Sequence, residues 1–302
     1  MRLRCMSYVL FGLAAILCFS RPTFAQDMIP AGKVTHALRL YEKFEGSAAS
    51  GADVFDMNTS IGYDFNRIFG VETGVPVYFV TPAPSAKLLS SQSNGIGDMY
   101  IDFRFALSNA LFDFTSTPSF AFPTGDTSKG FSTGHVGFTW DNEMAHSIGR
   151  FTPYLSIAPG NGLNNISNPH TRVVHRNFIT LGKEAEFTAG SDVDLFGPFS
   201  VNLDAYDVVP WGRQEVLSRI VKKGTVTVNG VKHNRYYAVN SVTTGGANLA
   251  KDNGYDAALD AALGHFVLVE VGYDYSVRYA EGTAFFSIGF DLSRLISRGL
   301  TR

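Results

Sequence analysis

Cysteine is nearly absent from this chain of 302 residues, which has two, Cys5 and Cys18. Both lie near the start, where basic residues precede an apolar run at 8–19 and small residues lead up to Ala25. That order is typical of a secretory signal peptide, and we predict a signal at 1–25 that is cleaved after Ala25. The mature chain would then hold no thiol, which excludes disulfides, a cysteine nucleophile and thiolate metal ligands.

Charged residues and long hydrophobic runs are also scarce. Charged residues make up 17% of the sequence, against roughly 25% in a soluble domain. The formal net charge of -2 provides no basic surface for nucleic acid. After Ala25 no apolar run reaches the roughly 18 residues that a membrane helix needs, which excludes a helical membrane protein. The alternative to a signal peptide is a membrane-spanning helix, but the apolar run at 8–19 has only about twelve residues and is too short for one.

The chain has instead a repeated alternation of apolar and polar residues. Successive side chains of an extended strand point to opposite faces. One segment places on one face Phe55, Met57, Thr59, Ile61, Tyr63 and Phe65, and on the other Asp56, Asn58, Ser60, Gly62 and Asp64. The pattern recurs at 69–79, 98–107, 255–263 and 267–278. Alternating segments of about ten residues are typical of transmembrane β-barrels.

We therefore predict an all-β fold, a transmembrane antiparallel up-and-down β-barrel of about twelve strands that covers 26–291. The predicted strands lie at 33–44, 53–64, 68–79, 96–107, 112–122, 135–145, 151–159, 178–189, 199–209, 254–264, 266–278 and 282–291. Short turns are predicted at 66–67, 108–111, 146–150, 190–192 and 264–265, and long loops at 80–95, 123–134, 160–177 and 210–253. Short turns of bacterial barrels face the periplasm and long loops face outward, so both ends of the barrel chain would lie in the periplasm.

A water-soluble β-sandwich is the alternative for alternating strands, with the apolar face turned inward. Strands of soluble sheets usually have about 5–6 residues, whereas these run for about ten, as a membrane crossing requires. Some polar residues disagree with a lipid-facing surface: His36 and Glu42 lie on the apolar face of the first strand, and Lys183 lies between Leu181 and Ala185. A lysine at the bilayer midplane costs roughly 2–4 kcal/mol, so we expect Lys183 near the lipid headgroups or beside a register-shifting bulge.

The polar face of the predicted strands would line the lumen. The candidates are Arg39, Glu72, Asp98, Tyr100, Asp102, Arg104, His135, Asp141, Glu143, Glu184, Glu186, Asp204, Asp256, Asp260, Glu270, Asp274 and Arg278. Acids outnumber bases, and charge rings of one sign select ions of the other, so we expect a preference for cations or neutral solutes. The alternative is that acids and bases pair as structural bridges, as Asp102 and Arg104 could on one strand. About twelve strands predict a narrow or partly plugged lumen.

Two long connections could shape the mouth of the barrel. Glycines at 125, 130 and 134 allow tight turns, so residues 123–134 fold either inward as a constriction or outward as a solvated loop. Asn229-Gly230 predicts a hairpin within 210–253 that extends outside or caps the mouth. Two further membrane strands there, fourteen in all, are disfavoured by five basic residues: Lys222, Lys223, Lys232, His233 and Arg235. The tail at 292–302 has the spacing of a short periplasmic helix, or else frays.

Enzymatic motifs are missing from the sequence, which has no G-x-S-x-G, H-x-x-x-H, H-E-x-x-H or Walker pattern. We expect no enzyme activity, catalytic residue, metal or cofactor. His135, predicted on the inner face with Asp141 and Glu143, is the histidine best placed for acid/base or metal chemistry, although such a residue more often serves as a hydrogen-bonding group. A structural or adhesion barrel without transport is the main alternative to a channel, and a barrel-embedded lipid hydrolase is less favoured.

Short glycine-rich motifs carry a resemblance to a known family. Gly95-Ile96-Gly97-Asp98 opens a predicted strand, and Phe120 to Asp126 reads FAFPTGD before a glycine-rich stretch at 128–134. The motif residues are Gly95, Gly97, Pro123, Thr124, Gly125, Asp126, Gly130 and Gly134. In order and spacing they resemble the outer-membrane transporter family labelled after the meta pathway of phenol degradation, over most of the mature chain. The chain departs from many barrels in continuing past Phe290, where an aromatic residue commonly ends the sequence.

That resemblance implies a Gram-negative outer-membrane barrel that takes up aromatic or other hydrophobic compounds by facilitated diffusion. Such a barrel would have outer-membrane lipid, lipopolysaccharide, the barrel-assembly machinery and a small-molecule solute as its partners.

Overall fold

A computed structural model describes residues 37–48, 52–82, 93–109, 111–129, 131–161, 178–228, 231–264 and 267–291. The strands are β1 (Ala37–Ala48), β2 (Ala52–Asp64), β3 (Phe69–Pro82), β4 (Ser93–Ile96), β5 (Met99–Ser108), β6 (Asp113–Phe122), β7 (Gly137–Ala145), β8 (Phe151–Gly160), β9 (Phe178–Asp194), β10 (Phe199–Val228), β11 (Val231–Gly245), β12 (Asp252–Leu263), β13 (Val267–Ser276) and β14 (Glu281–Asp291). Two short 3-10 helices lie at Thr127–Lys129 and Ala247–Leu249. The predicted signal peptide and the tail at 292–302 lie outside the described residues.

The strands form a closed antiparallel barrel of twelve strands. Neighbours along the chain pair with each other, and the pairing of β1 with β14 closes the ring. β4 and β5 both pair with β3 and act as one strand that is interrupted at Gly97 and Asp98. β11 pairs with β10 alone, so β10 is followed in the ring by β12. The predicted up-and-down barrel is therefore confirmed.

The polarity of the sheet is the reverse of that in a soluble protein. Ile61 and Val271 are 48% and 56% exposed on the outer face, whereas Ser60 and Asp274 are each 4% exposed on the inner face. The same contrast predominates along the strands of the ring whose side chains are described, although Asp207 is exposed on the outer face and Val80 and Val208 are buried on the inner one. An apolar exterior of this extent is stable against hydrocarbon rather than water, so the barrel spans a membrane.

The two ends of the barrel differ in their connections. At the turn end the strands are joined by 65–68, 109–112, 146–150, 195–198 and 264–266, and β1 begins and β14 ends there. At the loop end lie the longer connections 83–92, 123–136 and 161–177, the β10–β11 segment, and two short links at 49–51 and 277–280. The alternation of short and long connections therefore agrees with the sequence, apart from those two short links.

Strand positions differ from the predictions at three places. The described part of β1, Ala37–Ala48, extends four residues beyond the predicted end at 44, and residues 33–36 lie outside the described residues. Residues 190–192, predicted as a turn, lie inside β9, and the chain turns at 195–198 instead. The segment at 210–253 contains the continuation of β10 together with β11, and neither adds a strand to the ring.

Two of the charged residues on the outer face, Lys183 and Glu42, have local explanations. Lys183 is exposed at the loop end, where the register between β9 and β10 shifts between Pro210 and Gln214. The neighbouring Trp211 is also exposed, as is common for tryptophan at the headgroup level of a membrane. Glu42 accepts a 2.7 Å hydrogen bond from the Thr59 hydroxyl across β1 and β2. His36 lies outside the described residues.

None of the described residues forms a helix that is long and apolar enough to cross a membrane.

Candidate functional site

Several tyrosines on the inner face lie against the barrel wall, each over a glycine of the neighbouring strand. The Tyr100 ring on β5 covers Gly74 of β3, where an added Cβ would lie 2.5 Å from the tyrosine oxygen. That oxygen then accepts a 3.1 Å hydrogen bond from the Asn58 amide on β2. Tyr100 is 1% exposed. The ring therefore ties three strands together without crossing the lumen.

The same arrangement occurs twice on the other side of the ring. Tyr154 on β8 covers Gly190 of β9 and donates a 3.1 Å hydrogen bond to Asp204 on β10. Tyr206 on β10 covers Gly254 of β12 and donates to Asp252 at 3.2 Å. Each pair stabilises the wall by filling the space that a glycine leaves in a strand.

A buried ion cluster lies inside the barrel at its turn end. The Arg39 guanidinium lies 3.3 Å from the Asp64 carboxylate and 3.6 Å from that of Glu72, and Arg104 lies 2.7 Å from Asp64. Gly70 provides the space, because a Cβ there would meet the Asp64 carboxylate and both guanidinium groups. Since buried charges are stable only when paired, the cluster holds β1, β2, β3 and β5 in register.

A second ion pair lies on the inner face nearer the loop end. The Lys43 ammonium lies 2.8 Å from the Glu45 carboxylate. Arg39, Lys43 and Arg104 are the basic side chains on the inner face of the described ring strands, and each is paired. The structural-bridge interpretation of the sequence therefore holds for these bases.

The inner face of the remaining strands is acidic. Its carboxylates, called here the acidic wall, are Asp141, Glu143, Glu184, Glu186, Asp192, Asp204, Asp252, Asp256, Asp260, Glu270 and Asp274. Hydroxyl groups donate to several of them, including Ser276 to Asp252 at 2.6 Å and Ser287 to Glu270 at 2.9 Å. On β7, β8, β9, β10, β12 and β13, the described inner-face side chains include no lysine or arginine. The lumen wall thus carries negatively charged side chains, and among its described residues no basic ones, over about half of the ring.

The loop at 123–136 folds into the barrel. Its Phe131 ring stacks on Tyr78, an inner-face residue of β3, with ring centroids 5.2 Å apart. Phe131 is 6% exposed, and Ser132 and Thr133 are buried with it. Phe131 also occupies the space above Gly95 on β4. Of the two arrangements that the sequence allows, the structure has the inward constriction.

The interruption between β4 and β5 anchors this loop. The backbone N–H of Gly125 donates to the Asp98 carboxylate at 3.0 Å, and the Thr124 hydroxyl accepts from the backbone N–H of Met99 at 2.8 Å. A side chain at Gly125 would collide with the carbonyl oxygen of Ile96, 2.8 Å from its Cβ position. The FAFPTGD segment is therefore the point at which the loop attaches to the wall.

The turn after this anchor is held by Asp126. Its carboxylate accepts hydrogen bonds from the Ser128 hydroxyl at 2.6 Å and the Ser128 backbone N–H at 2.9 Å. The hydroxyl bond is the main reason that the pKa of Asp126 lies below its ordinary value. Lys129 reaches back to the carbonyl oxygen of Asn94 on β4 at 2.8 Å. The turn is thereby tied to the same wall as Asp98.

The β10–β11 hairpin leans over the mouth of the barrel. The pairing of β10 with β12 ends at Val208, and beyond Gln214 the strand runs on to Val228 paired with β11. β11 contacts the 3-10 helix Thr127–Lys129, which belongs to the inward loop on another part of the ring. The hairpin and the loop therefore meet above the lumen.

The structure places most of the predicted lumen residues on the inner face. These are Arg39, Glu72, Tyr100, Asp102, Arg104, Asp141, Glu143, Glu184, Glu186, Asp204, Asp256, Asp260, Glu270 and Asp274, and Asp98 is buried at the β4–β5 interruption. Of the loop motif, Pro123 is exposed, Gly134 has a positive φ of 75°, and Gly130 lies outside the described residues.

Two predicted lumen residues lie elsewhere. His135 is exposed in the loop before β7 begins, and its ring nitrogen contacts the carbonyl oxygen of Thr133 at 3.1 Å. It is therefore not enclosed with Asp141 and Glu143. Arg278 is exposed in the 277–280 link and donates to the carbonyl oxygen of Asn248 at 2.9 Å. Both were predicted from alternation that continued past the end of a strand.

Several inner residues have no counterpart among the sequence candidates. Tyr78 and Phe131 form the aromatic contact of the constriction, and Tyr154 and Tyr206 cover glycines of the wall. Gln214 is fully buried at the register shift and donates to the carbonyl oxygen of Lys183 at 2.8 Å. A tyrosine at an inner position directly opposite a glycine of the neighbouring strand is the available sequence signal, but finding it requires the strand register.

Comparison with solved structures identifies barrels of the same architecture. The COG4313 outer membrane channel from Pseudomonas putida F1 has a TM-score of 0.52 and 9% identity, over 90% of this chain and 100% of that chain. The KdgM porin in complex with disordered oligogalacturonate has a TM-score of 0.48 and 9% identity, over 83% of this chain and 98% of that one. The NanC porin has a TM-score of 0.45 and 8% identity, with the same two coverages.

At 9% identity, the likeness to the COG4313 channel shows the fold alone, an outer-membrane type of transmembrane barrel. No family model matches the sequence, and no curated protein matches it.

A metal site is not apparent in the part of the chain that the structure describes. No group of three or more His, Cys, Asp or Glu side chains is arranged there to hold a metal ion.

Proposed function

We propose that this protein is an outer-membrane channel for small molecules, which cross it by facilitated diffusion. The observation that carries the proposal is the inward loop, whose Phe131 stacks on Tyr78 of the inner wall. A polar interior narrowed by a folded loop is the arrangement that lets a pore select solutes, whereas a purely structural barrel has no need of it.

Aromatic or other hydrophobic solutes are the proposed cargo. The Tyr78 and Phe131 rings stack at the constriction, where a passing aromatic solute would contact the part-exposed Tyr78 ring, and offset ring contacts are favourable. The Gly95 to Asp98 and Phe120 to Asp126 motifs add their resemblance to the phenol-degradation family, of which we propose the chain to be a member. Acidic residues on the inner wall would attract cations rather than anions into the barrel section.

We also propose that the chain is exported and then inserted into the outer membrane. Cleavage of the predicted signal after Ala25 would release the chain into the periplasm, where the barrel-assembly machinery would insert it. The apolar exterior would then contact outer-membrane lipid, with lipopolysaccharide around the loop end. Protein sequencing of the chain purified from outer membranes should begin at Gln26, and a start at Met1 would contradict the export step.

Single-channel conductance tests the proposed function. Protein purified from outer membranes is added to a planar bilayer with and without phenol and an alkylated phenol. We expect discrete current steps that these solutes block. A barrel that inserts, as judged by heat-modifiable migration, but gives no steps would indicate the structural alternative.

A hydrolase in the barrel remains the competing enzymatic proposal. A hydrolase would cleave a lipid ester, and the variant His135→Ala would abolish that activity. Exposure of His135 outside the lumen favours the channel instead.

A further inference from the structure

The hairpin that leans over the mouth is basic. Beyond Gln214 its sequence holds Arg219, Lys222, Lys223, Lys232 and Arg235, and a single acid, Glu215. Lys223 and Arg235 are direct cross-strand partners. The sequence of the hairpin therefore concentrates positive charge.

The barrel below the hairpin has the opposite sign. The acidic wall carries carboxylates on five of the ring strands, while the three basic side chains of the described inner face are each paired on the other side of the ring. A solute moving through the proposed channel would meet the basic hairpin and the acidic wall one after the other.

From this order of charges, and resting on the proposed channel function, we propose that the hairpin and the acidic wall are oppositely charged layers in series that favour uncharged solutes over ions of either sign. A cation is opposed at the hairpin, and an anion is opposed at the wall. A neutral aromatic or aliphatic solute meets neither barrier. Uncharged molecules are thus the solute class of the channel, and the hairpin takes part in their selection.

At low salt, fixed charges act over distances comparable to the pore radius. Twelve strands enclose a backbone radius of about 12 Å, which inner side chains reduce. The Debye length is about 10 Å at 0.1 M salt and about 3 Å at 1 M. The two layers should therefore act on ions at low salt and lose their effect at high salt.

Two opposite layers in series make the current depend on the sign of the voltage. With the turn end positive, cations enter through the acidic wall and anions enter past the hairpin, so both accumulate between the layers and the current is high. With the turn end negative, both ions are drawn out of that region and the current falls. A pore with one sign of charge throughout lacks this depletion region.

The test is the current through single channels at equal voltages of opposite sign, with the side of the hairpin established by protease added to one chamber. We expect the current with the turn end positive to exceed the reverse current about twofold or more at about 0.1 M salt, with a ratio near one at about 1 M. In the variant Lys222→Gln, Lys223→Gln, Lys232→Gln, Arg235→Gln, the ratio should fall towards one at low salt, and cation preference should increase.

Two controls separate charge from structure. The charge-conserving variant Lys222→Arg, Lys223→Arg, Lys232→Arg should keep the native ratio, and so should Arg67→Gln, which removes one exposed base at the turn end. Native channels with clear steps but equal currents in both directions would overturn the inference and leave the channel proposal intact. Asymmetry that survives neutralisation of the hairpin would also overturn it. No steps at all would overturn the channel proposal, and the inference with it.

Discussion

The carboxylate of Asp98 accepts the backbone N–H of Gly125 at 3.0 Å, which joins the interruption of a barrel strand to the loop inside the barrel. Asp98 is 4% exposed. Its side chain therefore attaches the beginning of the segment that carries Phe131 to the barrel wall. The position of the constriction depends on this contact.

Removal of the Asp98 carboxylate should widen the channel. Asp98→Ala leaves the Gly125 N–H without its acceptor, and a lost bond to a buried charged group costs about 1–3 kcal/mol. We expect a larger and noisier single-channel conductance. Asp98→Asn keeps an acceptor oxygen and should lie nearer the native value, while Asp113→Asn at the exposed turn end serves as the control. Native conductance in Asp98→Ala would mean that the loop does not set the pore width.

The aromatic contact of the constriction should affect solute block. Tyr78→Ala removes the part-exposed ring of the constriction, and an aromatic contact with a solute contributes about 0.5–1.5 kcal/mol. The phenol concentration that halves the current should therefore rise about two- to tenfold. Phe196→Ala, an exposed ring at the turn end, is the matched control. Equal block in both variants would exclude Tyr78 from the solute path.

The space that Gly74 leaves for the Tyr100 ring should be needed for the stability of the barrel. Gly74→Ala places a Cβ 2.5 Å from the Tyr100 oxygen, and overpacking costs about 1–3 kcal/mol. Urea unfolding of the barrel in lipid vesicles should show that loss. Gly246→Ala, which meets no atom within 4 Å, should show none. The double variant Gly74→Ala, Tyr100→Ala should lose less than the two single losses combined, and strict additivity would contradict the packing argument.

The buried arginine at the turn end should contribute strongly to stability. Arg39→Leu leaves Glu72 and part of Asp64 without a cation, and breaking a buried ion pair costs about 3–5 kcal/mol. The same unfolding measurement should show this loss, and adding Glu72→Gln should recover part of it. Arg67→Leu, an exposed arginine at the same end, should change the free energy of unfolding little. Equal losses at both arginines would disagree with the ion cluster.

Much of the fold follows from the sequence because alternation is a local property. A strand that separates lipid from a polar lumen must change polarity at each residue, whatever its partner is. The segment from Phe55 to Asp64 predicted its own strand and its outer face without reference to any other strand, and β2 has both. Lengths of about ten residues favoured a membrane barrel over a soluble sandwich for the same reason.

Residues that serve a distant partner misled the same reasoning. Gly190 suggested a turn, since glycine commonly ends a strand, yet it lies inside β9 because the Tyr154 ring occupies the space above it. His135 and Arg278 continue an alternating pattern but lie beyond the ends of their strands, where hydrogen bonds to loop carbonyl oxygens hold them.

The sequence by itself determined the strand pattern, the apolar outer face and the acidic character of the inner one, because each depends on neighbours along one strand. The tertiary structure alone decided that the loop at 123–136 folds inward, that Arg39 pairs with Asp64 and Glu72, and that the basic hairpin reaches over the mouth. These features join strands through register and closure of the ring, and a local pattern of polarity holds no information about either.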